Sequence, residues 1–435
     1  MYGNRTEERI ARSKERSAAS SDSGSVARVA ARAATALASP PALPQRALFA
    51  LHSSLFTIHV TWLIWGLVAI VALYIAMGVY LATVLKWEDD ETVGLKYYGR
   101  SLADRERFKR SLKRHASVLA PMLWLNGRMA RLDFRRARIQ YKGVSAPAGS
   151  CSVESFQHAE AYQPSPEDVF VVTQMKCGTT WMQNVVYEIL YRGKGTLVET
   201  GTAMYAVSPW LEGRRSVPID QAPLLGSERL TRIIKTHLPV ILCPYDPAAR
   251  FIYVARHPAS CFASCVDFVR TNVGGMAPPM PLFEQWFCSK DLMWWGTWTD
   301  HVLGWWRWSA EQKNVLFVHF EEMKKDLPAV IRKVAAFLEV KPLSEEEVAT
   351  IADKCSFRYM QDHQEAFEMQ PPHILQSRAK LFVSGSAERH LDVPKEVRLR
   401  VVAWAGRELS GTGFPLAEVY PDVAGAAGTA THPSA

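Results

Sequence analysis

The chain has 435 residues, of which 48% are hydrophobic and 22% charged, with a formal net charge of +8. That balance supports one or more folded domains of roughly 100–200 residues, and it excludes collagen-like, coiled-coil and small disulfide-scaffold architectures. The charge is uneven: residues 1–142 hold 23 Lys/Arg against 11 Asp/Glu, whereas residues 143–435 hold 28 against 32. The C-terminal two-thirds is therefore no basic nucleic-acid-binding domain, and any anion it binds must be held by a few placed groups.

Residues 1–46 are rich in Ala, Ser and Arg and run through Ser39-Pro40-Pro41; they are expected to be disordered. Residues 47–85 contain no Asp, Glu, Lys or Arg, and are assigned as a transmembrane segment. Within them Val60–Leu85 is a run of 26 residues broken by no histidine either. About 20 apolar residues at 1.5 Å each cross a bilayer core, so this run is long enough. Trp62 and Trp65 stand near one end, and Tyr80 and Trp87 near the other, where interfacial aromatics belong. A buried core helix is the competing reading, and Leu48–Ile58 leaves a hairpin open beside a single span.

Residues 86–150 read as basic, amphipathic helices beside the membrane. Their stretches RERFKRSLKRH (105–115) and RMARLDFRRAR (128–138) favour the cytoplasmic side for the rest of the chain. Seven cysteines, with no CxxC pair and no zinc-ligand spacing, read as reduced thiols rather than a disulfide framework or a metal site.

Residues 151–420 alternate strand-like and helical patterns. Val169–Val172, Arg232–Lys235, Phe251–Ala255 and Val315–Val318 read as strands, with helices over 181–191, 259–270, 298–312, 326–338 and 344–354. Strands separated by helices predict an α/β domain: a central parallel sheet flanked by helices. Residues 421–435 are expected to be a disordered tail.

The sharpest local signal is VFVVTQMKCGTTWMQNVVYEIL (169–190), a β-branched strand, a loop and a helix opening at Thr179-Thr180. Free N–H groups and the positive dipole end of a helix suit a phosphate there. Gly178 lets the backbone approach an anion, Lys176 adds a point charge, and the two threonine hydroxyls donate further bonds. This is not the GxxxxGK[ST] loop of nucleotide triphosphatases, because the lysine precedes the glycine.

A second strand–turn–helix, FIYVARHPASCFASCVDF (251–268), ends its strand on Arg256 and carries Ser264 eight residues later. An Arg at the carboxyl end of a strand reaches the crevice where α/β sheets bind ligands, and its planar fork grips a phosphate with two bonds. Between the two motifs, RIIKTHLP (232–239) brings Lys235, Thr236 and His237 to the end of a third strand.

These three segments resemble the sulfotransferases that use 3′-phosphoadenosine 5′-phosphosulfate (PAPS). In that family the loop reads Pro-Lys-Ser-Gly-Thr-Thr-Trp; here Met175 and Cys177 replace the Pro and the Ser. The resemblance implies a P-loop-like sulfotransferase fold over about residues 165–410, with PAPS as sulfuryl donor and no metal. It implies that His237 is the general base and that Lys176 and Lys235 stabilise charge at the transferred group. Lys176, Cys177, Gly178, Thr179 and Thr180 would surround the 5′-phosphosulfate, and Arg256 and Ser264 the 3′-phosphate. Trp181 and Phe357 would flank the adenine, near Cys355, and Phe320 stands where the family often has a base-contacting Tyr.

The family's glycine-rich loop over the 3′-phosphate corresponds only roughly to KLFVSGSAE (380–388), where Lys380 and Gly385 survive. Seven tryptophans fall between residues 286 and 308. Trp298, Trp305 and Trp306 recur at helical spacing and read as core; Trp294 and Trp295 are candidates for an acceptor pocket or a membrane-proximal surface. The expected function is a membrane-anchored sulfotransferase acting on a hydroxyl or amine of a small-molecule, lipid or carbohydrate acceptor, with no nucleic-acid partner and the catalytic domain cytoplasmic. A nucleotide kinase or other NTPase of related fold, or a non-catalytic membrane-tethered binding protein, is the alternative.

Overall fold

The computed structural model describes residues 45–227, 229–369, 371–376 and 393–426. The chain forms two compact units, Met1–Leu73 and Tyr74–Ala435. The described part of the first unit belongs to helix α1 (Gln45–Glu91), which runs on into the second. Among the described residues, Phe56–Glu91 is the one stretch long and apolar enough to cross a bilayer, by length and composition. Trp62, Ile64, Trp65 and Leu73 are all exposed, as lipid-facing side chains would be.

The second unit begins well before residue 151, which corrects the expectation of separate juxtamembrane helices over 86–150. Helix α2 (Leu102–Met129) is followed by a hairpin of β1 (Arg138–Tyr141) and β2 (Val144–Pro147). Tyr97, Phe108, Leu112 and Leu119 are buried in one core cluster with strand residues Val169 and Val171. Phe134, Val144 and Ala146 join the other. Fully burying such aromatic and branched side chains contributes roughly 1.5–3 kcal/mol each, which is why this segment folds with the domain rather than beside it. The buried Arg105 guanidinium donates to the Glu365 carbonyl at 3.0 Å and to the Gly201 carbonyl at 2.5 Å. The basic character of α2 therefore includes one side chain spent entirely on docking it.

The centre is a four-stranded parallel sheet of β3 (Asp168–Val172), β4 (Arg232–Thr236), β5 (Arg250–Ala255) and β6 (Val315–His319), in the order β4-β3-β5-β6. All of β3 and nearly all of β4 and β5 are buried, as expected when helices cover both faces of a parallel sheet. The covering helices include α3 (Thr179–Leu190), α4 (Pro258–Val273), α5 (Trp298–Glu311), α6 (Leu327–Phe337), α7 (Glu345–Lys354) and α8 (Lys395–Leu409). The helical and strand patterns read from the sequence lie where these elements lie, within a few residues.

The tail expectation needs a correction. Pro421–Ala426 is helical, Val423 is fully buried and the Asp422 carboxylate meets His257 Nε2 at 3.0 Å; only residues 427–435 lie outside the described part. Chain order places β4 on one side of β3 and β5 on the other. In open α/β sheets that reversal opens a crevice at the carboxyl ends of the strands, and ligands bind there.

Candidate active site

Register brings the three sequence motifs together. Val172 pairs with Thr236 on β4 and with Tyr253 on β5, so β3 and β4 end level and β5 runs two residues further, to Ala255, at the same edge of the sheet. The segments leaving these strand ends line one cavity of about 540 Å³: Lys176, Gly178 and Thr179 after β3, His237 after β4, and Arg256 after β5.

The first loop is shaped by backbone conformation. Lys176 has φ +67° and Gly178 has φ +107°. A Cβ built on residue 178 would stand 2.8 Å from Cδ2 of Phe320, so glycine is required both for its φ and for the close approach. Gly178 is also the N-cap of α3, whose first side chains are Thr179 and Thr180. Thr179 Oγ1 lies 2.7 Å from Thr173 Oγ1, and Thr180 Oγ1 lies 3.3 Å from the Tyr205 hydroxyl. Lys176 Nζ stands 4.9 Å from the centre of the Phe268 ring and 3.8 Å from Met369 Sδ.

Cys177 is a correction. Its side chain is fully buried, its Sγ lies 3.6 Å from Cys261 Sγ, and its N–H donates to the Gln174 carbonyl at 3.3 Å. It does not line the cavity, and burial pushes its thiol well above the ordinary range. It fills a serine-sized space in the core.

Arg256, just before α4, and Ser264, within that helix, both line the cavity and are both buried. The Arg256 guanidinium lies 4.4 Å over the Phe320 ring and donates through one terminal nitrogen to the Lys176 carbonyl at 3.1 Å. Its buried Nε has no partner among the described residues. Trp298 Nε1 donates to the Arg256 carbonyl at 2.9 Å, which holds the strand end in place. Trp181 and Phe357 line the same cavity, and Trp181 Nε1 is fixed by the Cys355 carbonyl at 2.7 Å. Lys380 and Gly385 lie outside the described residues.

His237 is held from two sides. Its Nδ1 lies 2.9 Å from the Thr173 carbonyl, and a carbonyl only accepts, so Nδ1 carries the proton and Nε2 keeps a lone pair. Burial first, and the Lys235 charge second, hold the imidazole well below its usual range, so it is neutral at pH 7. Its own carbonyl accepts from His301 Nε2 at 2.9 Å, and its N–H donates to Glu212 Oε1 at 2.8 Å. Lys235 Nζ sits 3.6 Å over the Trp210 ring; burial pushes it down to about 7, against the opposing pull of Glu212. The Trp295 and Trp210 rings lie 4.9 and 5.6 Å from the His237 ring, and Trp294 and Trp295 both line the cavity.

The cavity thus has an end of cationic and hydroxyl donors suited to anions, its anionic end, and an aromatic end, with His237 and Lys235 between them. The donors at the first end suit two separated phosphate groups: Lys176, two threonine hydroxyls at a helix start, and an Arg–Ser pair. The unpartnered Arg256 Nε and the glycine cradle fit such a ligand.

A model of the sulfotransferase domain matches residues 166–399. The chain belongs to the sulfotransferase family. It is 30% identical over 225 residues to Sulfotransferase 1C2 of Oryctolagus cuniculus, covering 50% of this chain and 73% of that one. It is 28% identical over 267 residues to Sulfotransferase 2B1 of Homo sapiens, covering 58% and 70%. Among solved structures, mouse sulfotransferase SULT7A1 complexed with PAP superposes with a TM-score of 0.51 at 23% identity, over 68% of this chain and 100% of that one. Retinol dehydratase in complex with androsterone and inactive cofactor PAP does so with a TM-score of 0.51 at 20% identity, over 65% and 96%. This sulfotransferase is a PAPS-dependent enzyme, as its sequence motifs led one to expect.

Several residues that shape the sulfotransferase site carry no local signal. Glu212 is fully buried and accepts from both Thr236 Oγ1 and the His237 N–H at 2.8 Å. Gln174 donates to the Trp294 and Gly296 carbonyls at 2.9 and 2.7 Å, tying the phosphate loop to the tryptophan loop. Glu88, among the acids after the apolar run, is fully buried; it accepts from the Ile374 N–H at 2.9 Å and faces His373 at 3.3 Å. The neighbouring Asp89 pairs with Arg214 and Arg215 at 2.6 Å, and both arginines line the cavity. Tyr80 and Trp87, expected at a membrane surface, instead meet α2: Tyr80 bonds to His115 at 2.7 Å and Trp87 lies 5.0 Å from Phe108.

Proposed function

We propose that this sulfotransferase moves a sulfuryl group to the hydroxyl of a small, largely apolar acceptor, with His237 as general base. The observation that supports this most is the neutral His237, its Nε2 lone pair uncommitted to Thr173, set between the anionic and aromatic ends of one cavity. Lys176, Thr179, Thr180 and the N-terminus of α3 hold the 5′-phosphosulfate. Arg256 and Ser264 hold the 3′-phosphate, and Trp181 and Phe357 lie against the adenine. When bound, PAPS supplies the sulfuryl group. His237 Nε2 takes the acceptor's proton, which is worth roughly 10²–10⁴-fold. Lys176 and Lys235 stabilise negative charge developing on the phosphate side. The tryptophans at the other end exclude water and position an apolar acceptor body.

The apolar part of α1 before Tyr74 anchors the enzyme in a membrane, and the basic stretches after it favour the cytosolic side for the catalytic domain. Protease added to sealed, right-side-out vesicles tests the side: digestion of the large domain with protection of the N-terminus would reverse it. Incubation with labelled PAPS and a membrane extract tests the reaction. A labelled, alcohol-derived sulfate is expected, and its loss in His237→Ala ties the product to this site. Binding of PAP without any labelled product would favour a non-catalytic role.

A further inference from the structure

Helix α2 runs antiparallel to the last turns of α1. Phe108 meets Trp87, His115 meets Tyr80, and Asn126 Oδ1 accepts from the Tyr74 hydroxyl at 2.6 Å. The C-terminal end of α2 therefore lies level with Tyr74, where α1 still exposes Ile75 and Val79. That end does not behave like a soluble surface. Val118 is 60% exposed, Trp124 63% and Met129 76%, with Leu125 also exposed. Toward the N-terminus of α2 the exposed side chains include Arg110, Lys113 and Arg114, and Arg128 and Arg131 flank the apolar group. From Arg107 to Leu132 there is no acidic residue.

A graded helix surface, cationic and then apolar with a tryptophan among the apolar residues, matches a headgroup-to-acyl boundary in polarity and sign. Water gains nothing from contact with such a patch, and a neutral protein partner would leave the arginines unmatched. The same end of α2 touches the cavity wall. Gly127 packs against Gly275, Arg131 donates to the Gly275 carbonyl at 2.7 Å, and the Leu132 N–H donates to the Met276 carbonyl at 2.8 Å. Leu132, Phe268 and Val273 are half-buried and line the cavity.

We infer that Val118, Trp124, Leu125 and Met129 rest in the surface of an anionic bilayer, as a second membrane contact beside α1. This reading rests on the proposed anchoring by α1. It sets the half-buried rim at Leu132, Phe268 and Val273 at headgroup depth, where a hydroxyl-bearing amphiphile reaches the cavity without crossing bulk water.

The test uses the full chain with Cys288→Ser, since the other native thiols are buried. Leu125→Cys, and separately Met129→Cys, carry an environment-sensitive fluorophore after reconstitution into phosphatidylcholine vesicles, with or without about 30 mole per cent phosphatidylserine. The expected result is blue-shifted emission, quenched by lipid bearing a nitroxide high on the acyl chain and not by aqueous iodide, more strongly with phosphatidylserine. Iodide quenching at both positions overturns the inference. So does shielding from both quenchers, which would mean that protein covers the patch. Flotation of the chain after a carbonate wash is scored in parallel. If the chain floats but the labels face water, only the second contact falls; if it does not float, the anchor falls as well.

Discussion

The two ends of the cavity are built on different principles. The anionic end is assembled from the ends of β3 and β5 and the first turns of the helices after them, so each group sits within nine residues of a rigid strand. The aromatic end gathers Leu132, Trp210, Trp294 and Trp295 from segments far apart in the chain, none of them within the four strands of the parallel sheet, though Trp210 bridges to Lys235 at its β4 edge. A phosphate demands charges and N–H groups at fixed points, which strand ends and helix starts supply. An apolar acceptor asks only for shaped, dry surface, which loops supply and can vary without disturbing the sheet.

The largest effect expected from this contrast falls at the junction of the two ends. His237→Ala should lower kcat by roughly 10²–10⁴-fold, the range of a lost general base, while calorimetry shows unchanged PAP affinity. A loss of PAP affinity of the same size would mean that His237 belongs to the anionic end. Arg256→Ala tests that end directly. Its charged hydrogen bond is worth about 1.5–3 kcal/mol, so PAP should bind some ten- to hundredfold more weakly, while AMP, lacking the 3′-phosphate, barely changes. Equal losses for both ligands would place Arg256 elsewhere.

Gly178→Ala should remove roughly 1–3 kcal/mol of stability, the range for a strained backbone position, since φ is +107° and Phe320 stands in the way. Thermal unfolding measures it. Adding Phe320→Leu should recover part of that loss, because it relieves the clash though not the backbone strain.

Lys235 gives the comparison a pH axis. Its charge is present below about 7 and lost above it, so kcat/KM, which reports the free enzyme, should fall as pH rises through that value. Lys235→Arg should move the alkaline limb out of range. Stability should run the other way. The folded lysine binds fewer protons than the unfolded one between about 7 and the ordinary lysine value near 10.4, so this group favours folding increasingly as pH rises through that window. Urea midpoints against pH for the enzyme and for Lys235→Met separate the two trends.

The smallest effect belongs to Glu88→Gln. It keeps an acceptor for the Ile374 N–H but removes an acid, pushed up to about 7 by burial, that faces His373 and Arg215. A weakening of PAP by about 0.5–1.5 kcal/mol, with kcat unchanged, would show that the segment after the apolar run steadies the loop over the cavity.

Most of the sheet, and the gathering of the residues after its strands around one cavity, were legible in the sequence, because both depend on short-range order. Buried β-branched runs mark β3 to β6, and Lys176, Gly178, Thr179, Thr180, Arg256 and Ser264 each come after a strand at a distance that the local geometry fixes. The Lys-Thr-His end of β4 was legible for the same reason. Cys177 was grouped with the phosphate loop by the resemblance, but while Lys176 and Gly178 face the cavity its own side chain turns into the core beside Cys261 on α4, as a serine-sized filler would. The domain boundary was set too late because Tyr97, Phe108 and Leu119 bury in the same core cluster as Val169, Val171 and Val185, some 50 or more residues away in the chain. Glu212, His301 and Glu88 had no local signature at all. Each acts through one or two hydrogen bonds to a distant backbone group, and a buried carboxylate or imidazole declares its role only once the fold has brought that partner to it. What the sequence determined by itself was which cationic and hydroxyl side chains follow the strands and that one helix is long and apolar enough to cross a bilayer; which residues orient His237, and which loops line the rest of the cavity, was decided by tertiary packing, because hydrogen bonds and apolar contacts reach only a few ångströms.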